Sequence, residues 1–197
     1  MKREKREDQE EYENPKEMVW DIFKTLMYML IVATVCLLTL KYVGQRTVVI
    51  GDSMNNTFYD GDNLVVDKIS YRFRDPNRFE VIVFPFMENG EEVRYIKRII
   101  GLPGETIQIK DNSIYIDGEL LEEDFGLEKI EYAGYAGSPV TLGDDEYFVL
   151  GDNRNHSKDS RELDQYGNPV VGVIHKSIII GRAWVKVYPF KEFGFVH

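Results

Sequence analysis

The residue type hardest to explain by structure alone is a lysine inside Glu92–Gly101, read Glu-Val-Arg-Tyr-Ile-Lys-Arg-Ile-Ile-Gly. The β-branched and aromatic content of this stretch is that of a strand, and a glycine ends it. With a period of two, Val93, Tyr95, Lys97 and Ile99 share one face, and Arg94, Ile96, Arg98 and Ile100 share the other. Lys97 therefore stands among apolar neighbours on the face expected to be buried. Desolvation disfavours the charged form of a lysine and pulls its pKa down. One account is a long stem that carries its ammonium out to water. The other is a buried amine whose charged form is held at a cost.

Ser53 follows Gly51-Asp52 and precedes the polar stretch Met54-Asn55-Asn56-Thr57, at the end of a candidate strand. A serine in such a turn commonly bonds its own backbone. The strained nucleophile elbow, Gly-x-Ser-x-Gly, is not formed, because Asn55 stands at the final glycine position. None of the seven serines has a lysine three residues on, so the Ser-x-x-Lys arrangement is absent too. His156, His175 and His197 are too few and too dispersed for a zinc cluster, although a triad through His156 stays open. No metal or cofactor is expected. A third polar region, Gly151-Asp152-Asn153-Arg154-Asn155-His156-Ser157-Lys158-Asp159-Ser160-Arg161, follows the candidate strand Tyr147–Leu150 directly. It reads either as a solvated loop or as an ordered network of charge-assisted bonds, and composition does not choose.

These three regions need elements to hold them. Short Val/Ile/Tyr/Phe-rich runs separated by glycine, proline and Asx turns predict a mainly β domain over residues 44–197, a folded sheet or β-barrel-like architecture. Strands are predicted at Thr47–Ile50, Asn63–Lys68, Glu80–Phe84, Val93–Ile100, Thr106–Lys110, Ser113–Ile116, Tyr147–Leu150 and Ile178–Val187. Asn89-Gly90 and Asp111-Asn112 predict two hairpin turns. Residues 122–146, acidic and weakly patterned, read as surface excursions. Residues 1–21 hold five Lys/Arg and eight Asp/Glu and read as a charged, fraying tail.

Between them lies an uncharged run from Thr25 to Leu40, flanked by Lys24 and Lys41. As a helix it covers about 24 Å, and extension over residues 22–43 gives about 33 Å, enough for a bilayer. It has no polar face, as a core helix would, and no small-x-small cleavage site follows it. A single transmembrane anchor is the reading. Lys16 and Lys24, with Lys2, Arg3, Lys5 and Arg6, outnumber Lys41 and Arg46, which puts the N-terminus in the cytoplasm and the β domain outside. The net charge of −10 argues against a general nucleic-acid surface. The one cysteine, Cys36, excludes an intrachain disulfide.

Taken in order, Ser53-Met54 after an anchor, Gly61-Asp62 before a strand, Arg94-Tyr95-Ile96-Lys97-Arg98 leading into Gly101-Leu102-Pro103-Gly104, and Gly-Asp-Asn-Arg-x-x-Ser-x-Asp-Ser-Arg at 151–161 resemble the type I signal peptidases, in their compact single-span bacterial form. The resemblance runs over about residues 20–190. It implies a serine endopeptidase that removes signal peptides from exported preproteins, with Ser53 as nucleophile and Lys97 as general base. It also implies that Ser157 hydrogen-bonds and orients Lys97, that Asp159 and Arg161 form a supporting pair, and that Asp152, Asn153 and Arg154 shape the loop. Met54, Phe58, Tyr95 and Ile96 match the substrate pocket. The dyad agrees with the strand argument: lowering a lysine from about 10.4 to about 8 takes about 3 kcal/mol, within reach of burial.

This chain departs from the family pattern Ser-Met-x-Pro-Thr-Leu by Asn56 and Phe58, and Gly51 stands where some relatives carry a second oxyanion donor. Loss of the proline is expected to loosen the turn after the nucleophile, and Phe58 to narrow the pocket. Two other readings stay in view: a related peptidase dedicated to one substrate class, such as a pilin or matrix protein, and a relative that binds preproteins without cutting them. A self-cleaving Ser/Lys repressor would need a DNA-binding helix pair where this chain has its apolar run.

Overall fold

The computed structural model describes residues 15–42 and 44–196, and the chain divides into two units after Lys41. The first unit is a single helix, α1 (Pro15–Tyr42). Residues 1–14 of the charged tail lie outside the described residues, and 15–21, expected to fray, are the first turns of α1. Proline suits the first helical position, and glutamate, lysine and methionine are good helix formers whatever their charge. Trp20 stacks on Phe23 at 5.6 Å, and Asp21 pairs with Lys24 at 3.1 Å. Between Lys16 and Thr39 this helix is long and apolar enough to cross a membrane, and it has no buried face.

The second unit is built of antiparallel strands: β1 (Gly44–Val48), β2 (Asn63–Asp67), β3 (Val81–Glu88), β4 (Glu91–Gly101), β5 (Thr106–Lys110), β6 (Ser113–Ile116), β7 (Glu119–Leu120), β8 (Val140–Thr141), β9 (Glu146–Leu150), β10 (Ile174–His175), β11 (Gly181–Tyr188) and β12 (Gly194–Phe195). The larger sheet runs β1-β2-β11-β3-β4-β9-β10, with β12 beside β11, and the smaller runs β7-β6-β5-β8. The chain is thus mainly β, preceded by one apolar helix. Asn89 and Gly90 both take positive φ (52° and 85°), as do Asp111 and Asn112 (50° and 62°). That is the conformation that lets two residues turn a twisted hairpin.

β4 lies centrally in the larger sheet, paired with β3 from Val81↔Arg98 to Glu88↔Glu91, and with β9 from Arg98↔Leu150. Alternation predicted one buried face. Instead every residue from Ile96 to Gly101 is buried, because this half of β4 is covered on both sides. Ile96 packs with Met54, Phe58, Val81 and Val83. Ile99 packs with Ile82, Phe84, Tyr147 and Val149, and Ile100 with Ile107, Phe148 and Leu150. Two cations, Lys97 and Arg98, are carried into this core.

Candidate active site

The turn that carries Ser53, the expected nucleophile and hence the nucleophile turn below, follows β1. Asn55 and Phe58 N–H donate to the Asp52 and Met54 carbonyls at 3.0 and 2.8 Å, a tight polar turn. The turn is not simply a loosened copy of one containing proline. Asn56 sits at φ 94°, a value the pyrrolidine ring forbids, and its Nδ2 donates to the Phe125 carbonyl at 3.1 Å. Where proline would stiffen the turn covalently, this chain ties it down by a side-chain bond.

Ser53 Oγ, half-buried at the start of that turn, lies 2.7 Å from Lys97 Nζ. Lys97 is 3 % exposed, and its ammonium-bearing end stands 5.1 Å from the Tyr95 ring centroid. No carboxylate lies within ion-pair distance of it among the described residues. Burial pulls its pKa from the ordinary 10.5 to about 8, against the opposing pull of Asp159, Asp152 and Asp52 and with the aid of Arg161. As an ammonium Lys97 donates to the hydroxyl; as a free amine it can accept the hydroxyl's proton. The Ser53 N–H donates to no protein group among the described residues.

The Gly151–Arg161 loop is an ordered network, not a solvated loop. Arg98 forks onto Asp152 through Nε and Nη2 at 2.9 and 2.7 Å, both residues being 0 % exposed, and Thr57 Oγ1 donates to the same carboxylate. Arg161 forks onto Asp159 at 2.8 and 2.7 Å, and Asp159 also accepts the Gly151 N–H at 3.0 Å. Asn153 binds the nucleophile turn twice: its N–H donates to the Ser53 carbonyl and its Nδ2 to the Asp52 carbonyl, each at 3.1 Å. Arg154 Nε donates to the Gly151 carbonyl at 3.1 Å, while its fork engages Glu123. Charge-assisted, bidentate bonds of this kind fix geometry as well as adding energy.

Ser157 departs from the expectation. Its Oγ is buried and makes no hydrogen bond among the described residues, so the expected bond to Lys97 is not formed. The side chain packs instead against the open side of Gly151, where a Cβ would come within 2.2 Å of Ser157 Oγ and 2.4 Å of the Ser53 carbonyl. Only glycine permits that approach between loop and nucleophile turn.

The four pocket residues separate into three that are buried and one that is not. Met54 and Phe58 are 1 % exposed and belong to the core under the turn, and Ile96 joins them at 7 %. Tyr95 is half-buried, stacks on Phe86 at 4.6 Å and donates to Glu88 at 3.0 Å. Phe58 therefore belongs to the core beneath the turn. His156 is exposed and bonds to neither Ser53 nor Lys97, so no triad forms through it. Three participants escaped the sequence reading: Thr57, Glu123 and Phe125. Of these, only Thr57 lies in a motif that could have drawn attention.

The family described as "Signal peptidase, peptidase S26" matches residues 20–188. A probable signal peptidase I-2 of Synechocystis sp. is 33% identical over 194 residues, covering 96% of this chain and 83% of that protein. The signal peptidase I of Bacillus amyloliquefaciens is 32% identical over 191 residues, covering 93% and 96%. A crystal structure of a signal peptidase I from Enterococcus faecalis V583 matches 55% of this chain and 97% of that chain at 34% identity, with a TM-score of 0.43. The chain belongs to the signal peptidase family, peptidase S26, whose members are serine endopeptidases.

Proposed function

We propose that the chain is a membrane-anchored endopeptidase that removes signal peptides from exported preproteins, with Ser53 as nucleophile and Lys97 as general base. The observation that carries the reading is the 2.7 Å separation of Ser53 Oγ and Lys97 Nζ, with that lysine withdrawn from water and from carboxylates. Neutral Lys97 takes the hydroxyl proton as Oγ attacks the scissile carbonyl carbon. The Ser53 N–H receives the developing oxyanion. The Lys97 ammonium then gives its proton to the leaving amine, which departs as the new N-terminus of the mature protein. Water, deprotonated by the same amine, releases the signal peptide from the acyl-enzyme and restores Ser53.

Asp152, Asn153, Arg154, Asp159 and Arg161 hold the loop against the nucleophile turn, and Ser157 fills the space at Gly151. The substrate binds as an extended strand, a mode in which main-chain bonds give affinity and alternate side-chain pockets give specificity. Tyr95 and Ile96 line the small apolar subsites for positions −1 and −3, with Met54 and Phe58 as their floor. α1 anchors the enzyme, its N-terminus cytoplasmic and the β unit outside. Exposed Ile50, Tyr59, Trp184 and Phe195, close in sequence or sheet register to the nucleophile turn and β11, suit work at a lipid–water boundary. The test is cleavage of a labelled preprotein with an Ala-x-Ala site by the full chain in detergent. Wild type cuts, and Ser53→Ala and Lys97→Met do not; cleavage retained by either variant would overturn the proposal.

A further inference from the structure

The acidic segment after β7, which reads as a surface excursion, runs along the site from Glu123 to Tyr135. Its contacts reach both halves of the site. On the nucleophile side, the Phe125 carbonyl accepts Asn56 Nδ2 at 3.1 Å. The Phe125 ring lies on the Arg98 guanidinium at 3.8 Å and against Phe79 at 5.0 Å. On the loop side, Glu123 takes the fork of Arg154, and the Leu127 N–H donates to the Asp152 carbonyl at 2.9 Å. Asn155 bridges to the Lys129 carbonyl and the Glu131 N–H, each at 3.0 Å. The Tyr135 N–H closes the run on the Arg161 carbonyl at 2.9 Å. Ile130, Leu121 and Ala133 root the segment in the core of the smaller sheet.

We propose that residues 123–135 are a positioning strap that holds the nucleophile turn and the Gly151–Arg161 loop at one fixed separation, with Asn56 and Glu123 as its positioning residues. Asn153 and Asp152 already bond the loop to the turn directly, and the strap adds a tie from each of the two to the core of the smaller sheet. Asn56 is three residues from Ser53, so its bond to the strap acts on the reacting hydroxyl through a short, tight turn. Glu123 acts through Arg154 on the Gly151 carbonyl, two residues before Asn153, whose N–H donates to the Ser53 carbonyl. Displacements of about 1 Å at reacting atoms cost about a hundredfold in rate. This inference rests on the reading that Ser53 and Lys97 react.

Asn56→Gly tests it cleanly, because glycine keeps the positive φ and only the amide is lost. In the full chain in detergent, Asn56→Gly is expected to lower kcat about tenfold and Glu123→Ala about a hundredfold, with KM within about twofold. Glu123→Gln, whose carbonyl still accepts one guanidinium bond, is expected to recover part of the loss. A second readout is independent of cleavage: the ¹³Cε resonance of Lys97 should titrate higher in both loss variants than in wild type, because a loosened loop admits water to the amine. Thermal unfolding of each variant keeps a folding defect separate. If kcat, KM and the Lys97 titration stay at wild-type values while only the melting temperature falls, the strap is merely structural and the proposal is overturned. If wild type cuts no preprotein yet the titration still rises in the variants, the reading of function fails and the strap stands.

Discussion

Lys97 is 3 % exposed and Arg98 0 %, and they are adjacent on β4, yet their surroundings differ in kind. Arg98 meets the Asp152 carboxylate through two bonds, donates to the Phe79 carbonyl at 2.7 Å and to Thr57, and carries the Phe125 ring on its guanidinium plane. Lys97 is given one hydroxyl. A buried charge that is fully paired stays charged and serves structure; one left without a counter-charge lowers its cost by shedding the proton. The protein thus gives two neighbouring residues different surroundings by supplying a carboxylate to Arg98 and only a hydroxyl to Lys97. Side-chain chemistry matches the division, since a guanidinium keeps its proton and offers a flat fork, while an amine is readily deprotonated.

The contrast can be broken most severely at the amine. Lys97→Arg keeps the positive charge but cannot become a base, and preprotein cleavage is expected to fall about 10³-fold or more. Activity near wild type would mean that only a cation is needed there. Removing the counter-charge from the other residue is the converse experiment. Asp152→Asn leaves Arg98 buried without its carboxylate and is expected to cost about 3–5 kcal/mol in denaturant unfolding.

A smaller effect of opposite sign separates the two more sharply. A lysine whose pKa falls from 10.5 to about 8 on folding destabilises the native state by about 3 kcal/mol while both states are protonated, that is, below about pH 8. As pH rises from about 8 to 10.5 the folded state loses its proton first, and the cost fades. Lys97→Met is therefore expected to be more stable than wild type by about 1–3 kcal/mol at low pH, the lost bond to Ser53 offsetting part of the gain, with the difference shrinking toward alkaline pH. A constant difference across pH would place the lysine's cost elsewhere. Smallest of all, Thr57→Val removes one hydroxyl from the Arg98–Asp152 pair and is expected to cost about 1 kcal/mol with little change in the pH profile of cleavage.

Much of this was legible in the sequence, for local reasons. β5 and β6 match their predicted bounds because a two-residue turn of positive φ and strict alternation specify both register and length. Lys97 stood out because alternation placed it on an apolar face, and the boxes at Ser53 and 151–161 supplied its partners. What alternation could not give was the covering of the opposite face, since burial of Arg98 depends on Asp152, Thr57 and Phe125, each distant in sequence. The strands of two residues, β7, β8, β10 and β12, are too short to carry a period. Residues 122–146 are a largely exposed stretch, as their composition predicts, but the contacts of 123–135 are not legible for a related reason. These residues have no pattern because their order comes from contacts with the loop, and acidic composition looks the same whether it meets water or arginine. Ser157 shows the opposite failure, a matching motif position whose side chain packs without the implied bond.

The central claim is that Lys97 works as a neutral amine, and the pH dependence of kcat/KM for preprotein cleavage tests it most directly. The expected profile rises tenfold per pH unit on its acid limb and bends at about pH 8, where the buried amine loses its proton. A profile flat between about pH 5 and pH 9 would contradict it, as would one still rising at about pH 10, the range of a lysine in water.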